Sequence, residues 1–109
     1  VLFGVPRPTQ PMVEMMAVLV KVAAFLRDEL PALRRHDYAR LIAASRVIRQ
    51  HEKEGDRIFR TAVSELFHDP AIDAKELLRQ KEVLEDLELA IDKCETVSER
   101  LKHLAVKHG

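Results

Sequence analysis

Two acidic pairs with the same spacing are the residues of this sequence best suited to chemistry. Glu52 precedes Asp56 by four positions, and Glu88 precedes Asp92 by four positions. Residues four apart lie one turn from each other on the same face of an α-helix, so each pair presents two carboxylates on one side. Carboxylate oxygens suit hard cations such as Mg²⁺, Ca²⁺, Mn²⁺ or ferric iron. These four residues are therefore the candidate metal ligands.

The sequence around each pair departs from an ordinary amphipathic helix. Residues 49–57 read RQHEKEGDR and interrupt a series of apolar positions that recur in steps of three and four. Glu52 and Gly55 occupy positions where that series predicts Leu or Ala. The second pair belongs to a row of acids with the same steps, which consists of Glu85, Glu88, Asp92, Glu95 and Glu99. Like charges at this spacing repel each other by roughly a few tenths of a kcal/mol per pair, so the row calls for cations nearby.

Either a metal ion or basic side chains can supply those cations. If helices two and three are antiparallel about a turn near residues 70–71, Glu52 lies level with Glu88 or Leu89, and Asp56 lies level with Glu85. The two pairs would then face each other across one groove and could share a metal. The second interpretation is a solvated acidic face, and the basic residues available to pair with it are Lys53, Arg57, Arg60, Lys81 and Lys93. Spacing alone leaves both interpretations open.

Enzymatic chemistry has little support in the sequence. A carboxylate-bridged diiron enzyme needs Glu-x-x-His pairs on two helices, and this sequence does not provide two. The single cysteine, Cys94, has no histidine one turn away, which favours a small core residue over a nucleophile. The sequence contains no glycine-rich phosphate loop, nucleophile elbow or HExxH motif. We therefore expect a protein that is not an enzyme.

The elements that would position the acids are three long helices. The pattern predicts them at about residues 10–30, 37–67 and 73–107, with an irregular lead-in over residues 1–9 and a single bundle over residues 10–109. Thr9 is the predicted N-cap of the first helix, Asp73 caps the third with Glu76 three residues later, and Gly109 follows its end. Pro31 and the break around Pro70 are expected to end the first two helices. The predicted fold is all-α, an up-down-up three-helix bundle with long antiparallel helices.

Helix one is too apolar for the outer layer of a small bundle. Between Met12 and Leu26, Glu14 and Lys21 are the only charged residues, and apolar side chains surround the rest of the helix. A helix of this kind is normally buried on more than one side. We therefore expect a second packing surface, which either another part of the same polypeptide or another copy of the chain would cover.

Composition limits the partners and the compartment. Lys plus Arg equals Asp plus Glu at 18 each, so net charge gives no reason to expect nucleic acid as a partner. The stretch from Met12 to Leu26 is too short and too charged to span a bilayer. A single cysteine fits a reducing cytosol. These features predict a cytoplasmic protein.

Two segments resemble a known family. The runs EKEGDRIFRTAVSELF (52–67) and LLRQKEVLEDLELAIDKCETV (77–97), with the later VKHG, are similar to PhoU-like proteins associated with Pit-type inorganic phosphate transporters. Those proteins are tandems of two three-helix repeats with E-x-x-x-D motifs on the second and third helix of each. The resemblance covers roughly residues 8–109 and is to the C-terminal repeat, with PTQP resembling the connector between repeats. No counterpart of the N-terminal repeat is present.

The resemblance implies more than the spacing does. It places the family's metal motifs on Glu52, Asp56, Glu88 and Asp92 and implies multinuclear metal clusters, often of iron or zinc. It also implies an accessory or regulator of phosphate transport, peripheral to the membrane at its cytoplasmic face, with a Pit-type transporter as partner. The missing repeat would be supplied from elsewhere or replaced in a homo-oligomer. The alternative function is a structural helical adaptor or dimerisation module without bound metal.

Overall fold

The computed structural model describes residues 7–108, and the side chains of residues 7–107. These residues form three α-helices: α1 (Gln10–Arg34), α2 (Tyr38–His68) and α3 (Ala74–His108). No strand occurs between residues 7 and 108. The all-helical prediction is confirmed. Of the predicted irregular lead-in, residues 7–9 are non-helical, while residues 1–6 and the predicted terminator Gly109 lie outside the described residues.

The helices begin at short polar side chains. The Asp37 carboxylate accepts a hydrogen bond from the backbone N–H of Arg40 at 3.3 Å, and the Asp73 carboxylate accepts one from Glu76 at 2.8 Å. Each bond satisfies an amide that has no partner within its own helix. Thr9 occupies the N-cap position of α1 with an extended backbone, and a proline follows in the first turn. The predicted starts are therefore correct to within one residue.

The predicted end of α1 is wrong, because Pro31 lies inside the helix. Proline at this position loses one backbone hydrogen bond, but its fixed φ angle is compatible with a helix. The helix ends instead where His36 adopts a φ of 59°. There the amides of His36 and Asp37 bond back to the carbonyls of Leu33 and Ala32 at 3.1 and 2.8 Å. This is the Schellman arrangement, here with histidine at the left-handed position that glycine usually takes.

All three helices contact one another around one main core. Its fully buried large side chains are contributed by each helix: Met15, Val18, Val22, Ile48, Leu84 and Ile91. A smaller cluster of Ala32, Leu41 and Ala105 closes the end where α1 finishes and α2 begins. The described part is a slender bundle whose principal extents are 54 × 27 × 15 Å. None of the described helices is long and apolar enough to cross a membrane.

Candidate metal centre

The groove between α2 and α3 is narrow because of a glycine. A Cβ atom added to Gly55 would stand 3.0 Å from the Cδ1 atom of Ile91, so no larger residue fits without movement. Ile91 is fully buried, and Gly55 is buried beneath it. This contact brings the two backbones close together at mid-length. It thereby brings the acids beside Gly55 and beside Ile91 within reach of each other.

Three of the four predicted ligands meet in this groove. Glu52, Glu88 and Asp92 each offer one carboxylate oxygen, and these oxygens all lie within 4.8 Å of one another. All three residues are half-buried. Oxygens bound to one cation at about 2.0–2.6 Å are separated by at most about 4–5 Å, so the spacing is compatible with a shared ion. We refer to Glu52, Glu88 and Asp92 as the acid cluster.

The fourth predicted ligand, Asp56, lies beside the cluster and not within it. Its carboxylate is 3.0 Å from a guanidinium nitrogen of Arg60, one turn further along α2. Asp56 is nevertheless close enough for its charge to raise the pKa of Glu88. It therefore contributes negative charge to the groove from its edge, and an ion pair with Arg60 already occupies it.

The register of the two helices differs from the predicted one. The prediction levelled Glu52 with Glu88 or Leu89 and would put Gly55 level with Asp86, but Gly55 lies against Ile91, and Glu52 is close to Asp92 as well as to Glu88. The displacement is about one helical turn. The seating of Ile91 on Gly55, and not the midpoint of the turn between the helices, sets this register.

The protonation of the cluster is shifted by burial and by like charge. Burial raises the pKa of Glu88 from 4.5 to about 7, with further contributions from the charges of Asp92, Asp56 and Glu52, although Arg60 opposes the rise. Burial also raises the pKa of Glu52, and the charge and hydrogen bond of Asp92 add to the shift. Near neutral pH, Glu88 is therefore poised between its protonated and ionised forms. A cation in the groove would favour the ionised form.

One oxygen of Glu88 is buried without any hydrogen-bond partner. Among the described residues, this atom, Oε2, is the one buried side-chain oxygen or nitrogen that lacks a hydrogen-bond partner. A buried acceptor without a partner costs about 1–3 kcal/mol, and more when it is charged. A proton or a cation at this position would remove that cost.

The acid row of α3 is compensated at its ends and not at its middle. Glu99 pairs with Arg49 at 3.2 Å and with Lys102 at 3.6 Å. Glu85 pairs with Lys81 at 3.1 Å. By contrast, in the part of the chain that the structure describes, no Lys or Arg forms an ion pair with any member of the acid cluster. The interpretation as a solvated face thus describes the two ends of the row, while among the described residues no ion pair is found at the middle, where Arg60 acts on Glu88 only through its charge.

The donor set indicates which ions would fit. It consists of carboxylate oxygens, and no His or Cys among the described residues joins it. Three oxygens with water in the remaining positions suit Mg²⁺, Mn²⁺, Ca²⁺ or iron, whereas zinc sites in proteins usually include nitrogen or sulfur ligands. Cys94 is half-buried in the core, and burial raises its pKa, so it is not an activated thiol.

Sequence reasoning missed one contact near the site and one motif outside it. Arg49 compensates Glu99 from the opposite helix, and only the three-dimensional register shows which acid an arginine reaches. The sequence also contains a single Glu-x-x-His motif, Glu65 to His68. It lies at the far end of α2, where the Nδ1 atom of His68 is 2.7 Å from the Ser64 carbonyl oxygen. That motif therefore does not belong to the acid cluster.

Comparison with protein-family models, with curated proteins and with solved structures gives no match.

Proposed function

We propose that this chain is a non-enzymatic metal-binding protein that holds a hard cation between α2 and α3. The observation that carries the proposal is the uncompensated acid cluster, three carboxylates within 4.8 Å of one another without a basic partner. The unpartnered oxygen of Glu88 supports the same conclusion, because it is a buried ligand atom that nothing else satisfies. Asp56 supplies a further charge at the edge and can become a ligand if it releases Arg60.

The proposed biological role is that of an accessory or regulator of inorganic phosphate transport. Its support is the resemblance of residues 52–67 and 77–97 to PhoU-like proteins that accompany Pit-type transporters. In that role the chain binds a transporter at the cytoplasmic face of the membrane without spanning it. The metal would then order the α2–α3 face for recognition and would not take part in a reaction. Co-purification with a Pit-type transporter in detergent, with and without chelator, tests this role separately from metal binding.

A metal-free structural adaptor is the second candidate. The ion pairs of Asp56 with Arg60 and of Glu99 with Arg49 favour it, because they show that part of the acidic surface is already compensated by basic side chains. In this case the acid cluster would hold shared protons and not a metal ion. The two candidates differ in what the purified protein contains.

Elemental analysis of protein purified without chelator or metal-affinity resin distinguishes them. We expect stoichiometric metal in the wild type and its loss in the Glu52→Gln/Glu88→Gln variant. A matched control is Glu82→Gln/Glu85→Gln, which removes two charges from α3 outside the cluster and should retain the metal. Because growth medium can limit loading, the same variants are also titrated with Mg²⁺, Mn²⁺ and Fe²⁺. Wild-type protein that binds none of these ions would leave the adaptor as the function.

A further inference from the structure

One face of the bundle, formed by α1 and α3, exposes apolar side chains along its length. Met12, Val13 and Met16 of α1 line a cavity of about 480 Å³ together with Val83 and Leu87 of α3. The exposed apolar side chains of this face recur at helical spacing and are at least 38% accessible: Val13, Met16, Val20, Val83, Val97 and Leu104. We call these six residues the α1/α3 apolar face. A contiguous apolar patch on a soluble bundle marks an interaction surface.

The zero net charge conceals a strong separation of charge along the bundle. Residues 26–50 and 96–109, at the end where α1 finishes, contain nine Lys and Arg against four Asp and Glu. The rest of the chain contains nine Lys and Arg against fourteen Asp and Glu. The boundary lies at a similar height on the three helices, within about one helical turn, because Gly55 packs against both Val18 and Ile91 at mid-length. One end therefore carries a net charge of about +5 and the other about −5, counted from side chains at neutral pH.

The surface area is also large for the mass of the chain. The accessible surface is 7512 Å², whereas a compact monomer of 12.5 kDa exposes about 6,200 Å². The radius of gyration is 17.1 Å, compared with about 13 Å for a compact domain of this length. The excess of about 1,300 Å² reflects the elongated shape of the bundle, whose long sides offer room for an interface of standard size, roughly 800 Å² per partner.

We propose that a second copy of this chain covers the α1/α3 apolar face in an antiparallel, two-fold symmetric dimer. A two-fold axis perpendicular to the bundle sets the basic end of each copy beside the acidic end of the other. One arrangement thus buries the apolar face and pairs the opposite charges, and a parallel dimer would instead bring like charges together. The acid cluster lies between α2 and α3, on the side of α3 opposite to the apolar face, so the dimer leaves both metal centres open and does not depend on them.

The mass in solution tests the interface. By sedimentation or light scattering we expect a particle of twice the chain mass at micromolar concentrations. The Val20→Glu/Val97→Glu variant should be monomeric at concentrations where the wild type is dimeric. Phe67→Glu is the matched control, because Phe67 is 59% exposed on α2, outside the apolar face, and it should leave the dimer intact. The milder Val20→Gln/Val97→Gln variant should shift the equilibrium in the same direction if the Glu variant fails to fold.

The orientation is tested with one spin label per chain. Leu78 is 62% exposed near the acidic end of α3, and Leu78→Cys in a Cys94→Ser background carries the label. In an antiparallel dimer the two labels lie about 40 Å apart along the bundle axis, at 1.5 Å per helical residue from the middle of α3. A parallel dimer has no axial separation between them. A monomeric wild type, a dimer that survives both substitutions of the apolar face, or a short distance between labels would overturn the proposal.

Discussion

Gly55 of α2 lies directly beneath Ile91 of α3, so that a Cβ atom at Gly55 would stand 3.0 Å from Cδ1 of Ile91 and 3.5 Å from Cγ1 of Val18. Glycine in the middle of a helix is about 1 kcal/mol less favourable than alanine. Close approach of the helices offsets this cost. The same contact holds Glu52 near Glu88 and Asp92, so the packing of the core and the geometry of the acid cluster depend on one residue.

A large side chain at Gly55 should therefore disturb both the packing of the core and the geometry of the acid cluster. We expect Gly55→Leu to lower the free energy of unfolding by about 1–3 kcal/mol, because it overfills the core between Ile91 and Val18. It should also weaken metal binding by separating α2 from α3. Urea unfolding in chelator and calorimetric titration with Mn²⁺ measure the two effects. Gly55→Ala is the control, since its helix propensity offsets the crowding and its stability should stay within about 1 kcal/mol of wild type. A Leu variant with wild-type stability would contradict this account.

In the ion pair between Glu29 and Arg40, loss of the arginine alone should destabilise the protein more than replacement of both residues. Glu29 is buried, and its two carboxylate oxygens accept hydrogen bonds from Arg40 at 2.9 and 3.3 Å. Removal of the arginine leaves a buried carboxylate without its partner, so Arg40→Ala should lower the free energy of unfolding. Adding Glu29→Gln to that variant should recover part of the loss. Urea unfolding of the two single variants and the double variant measures the coupling, and additive losses would show that the pair does not interact.

The sequence predicted the helices well because their signals are local. Asp37 and Asp73 cap the helices they were expected to begin, and the apolar steps of three and four predicted helices where the structure has them. The end predicted at Pro31 was wrong because proline disfavours a helix interior but does not exclude the last turns. The helix ends at His36, and no glycine in the sequence marks this position. A left-handed histidine is visible only in the backbone.

The grouping of acids was predictable in outline and not in register. Residues four apart share a helix face in any α-helix, so Glu52 with Asp56 and Glu88 with Asp92 followed from spacing. Which acid meets which across the groove depends on how Ile91 seats on Gly55, and that is a tertiary contact. The charge polarity was hidden for a different reason. Net charge sums over the chain, whereas the polarity appears only when three helices are laid side by side.

The stability of the metal-free protein should depend on pH through Glu88. Because its pKa rises from 4.5 to about 7 on folding, the folded state holds the proton more tightly. The stabilising contribution is therefore complete below about pH 4.5 and is lost as pH rises through 7. In chelator at pH 8, Glu88→Gln should be more stable than wild type by about 1–2 kcal/mol, after allowance for solvent screening of a half-buried group. The difference should vanish near pH 4.

Urea unfolding at pH 4, 6 and 8 measures this dependence. Glu82→Gln is the control, because Glu82 is exposed on α3 outside the cluster and its replacement should leave the profile of wild type unchanged. If Glu88→Gln destabilises the protein at pH 8 in chelator, the carboxylate has a partner that the structure does not show.

Metal affinity should increase with pH, in contrast to the stability of the metal-free protein, because the cation and the proton compete for Glu88. Ligating carboxylates must be ionised, so binding below pH 7 releases the proton that Glu88 holds. The apparent dissociation constant should rise about tenfold for each pH unit below 7 and change little between pH 7 and 8. Calorimetric titration with Mn²⁺ at pH 6, in two buffers of different ionisation enthalpy, counts the released protons directly. We expect about one proton per ion at pH 6 and close to none at pH 8. Equal affinity at both values, with no proton released at pH 6, would place the ion away from Glu88.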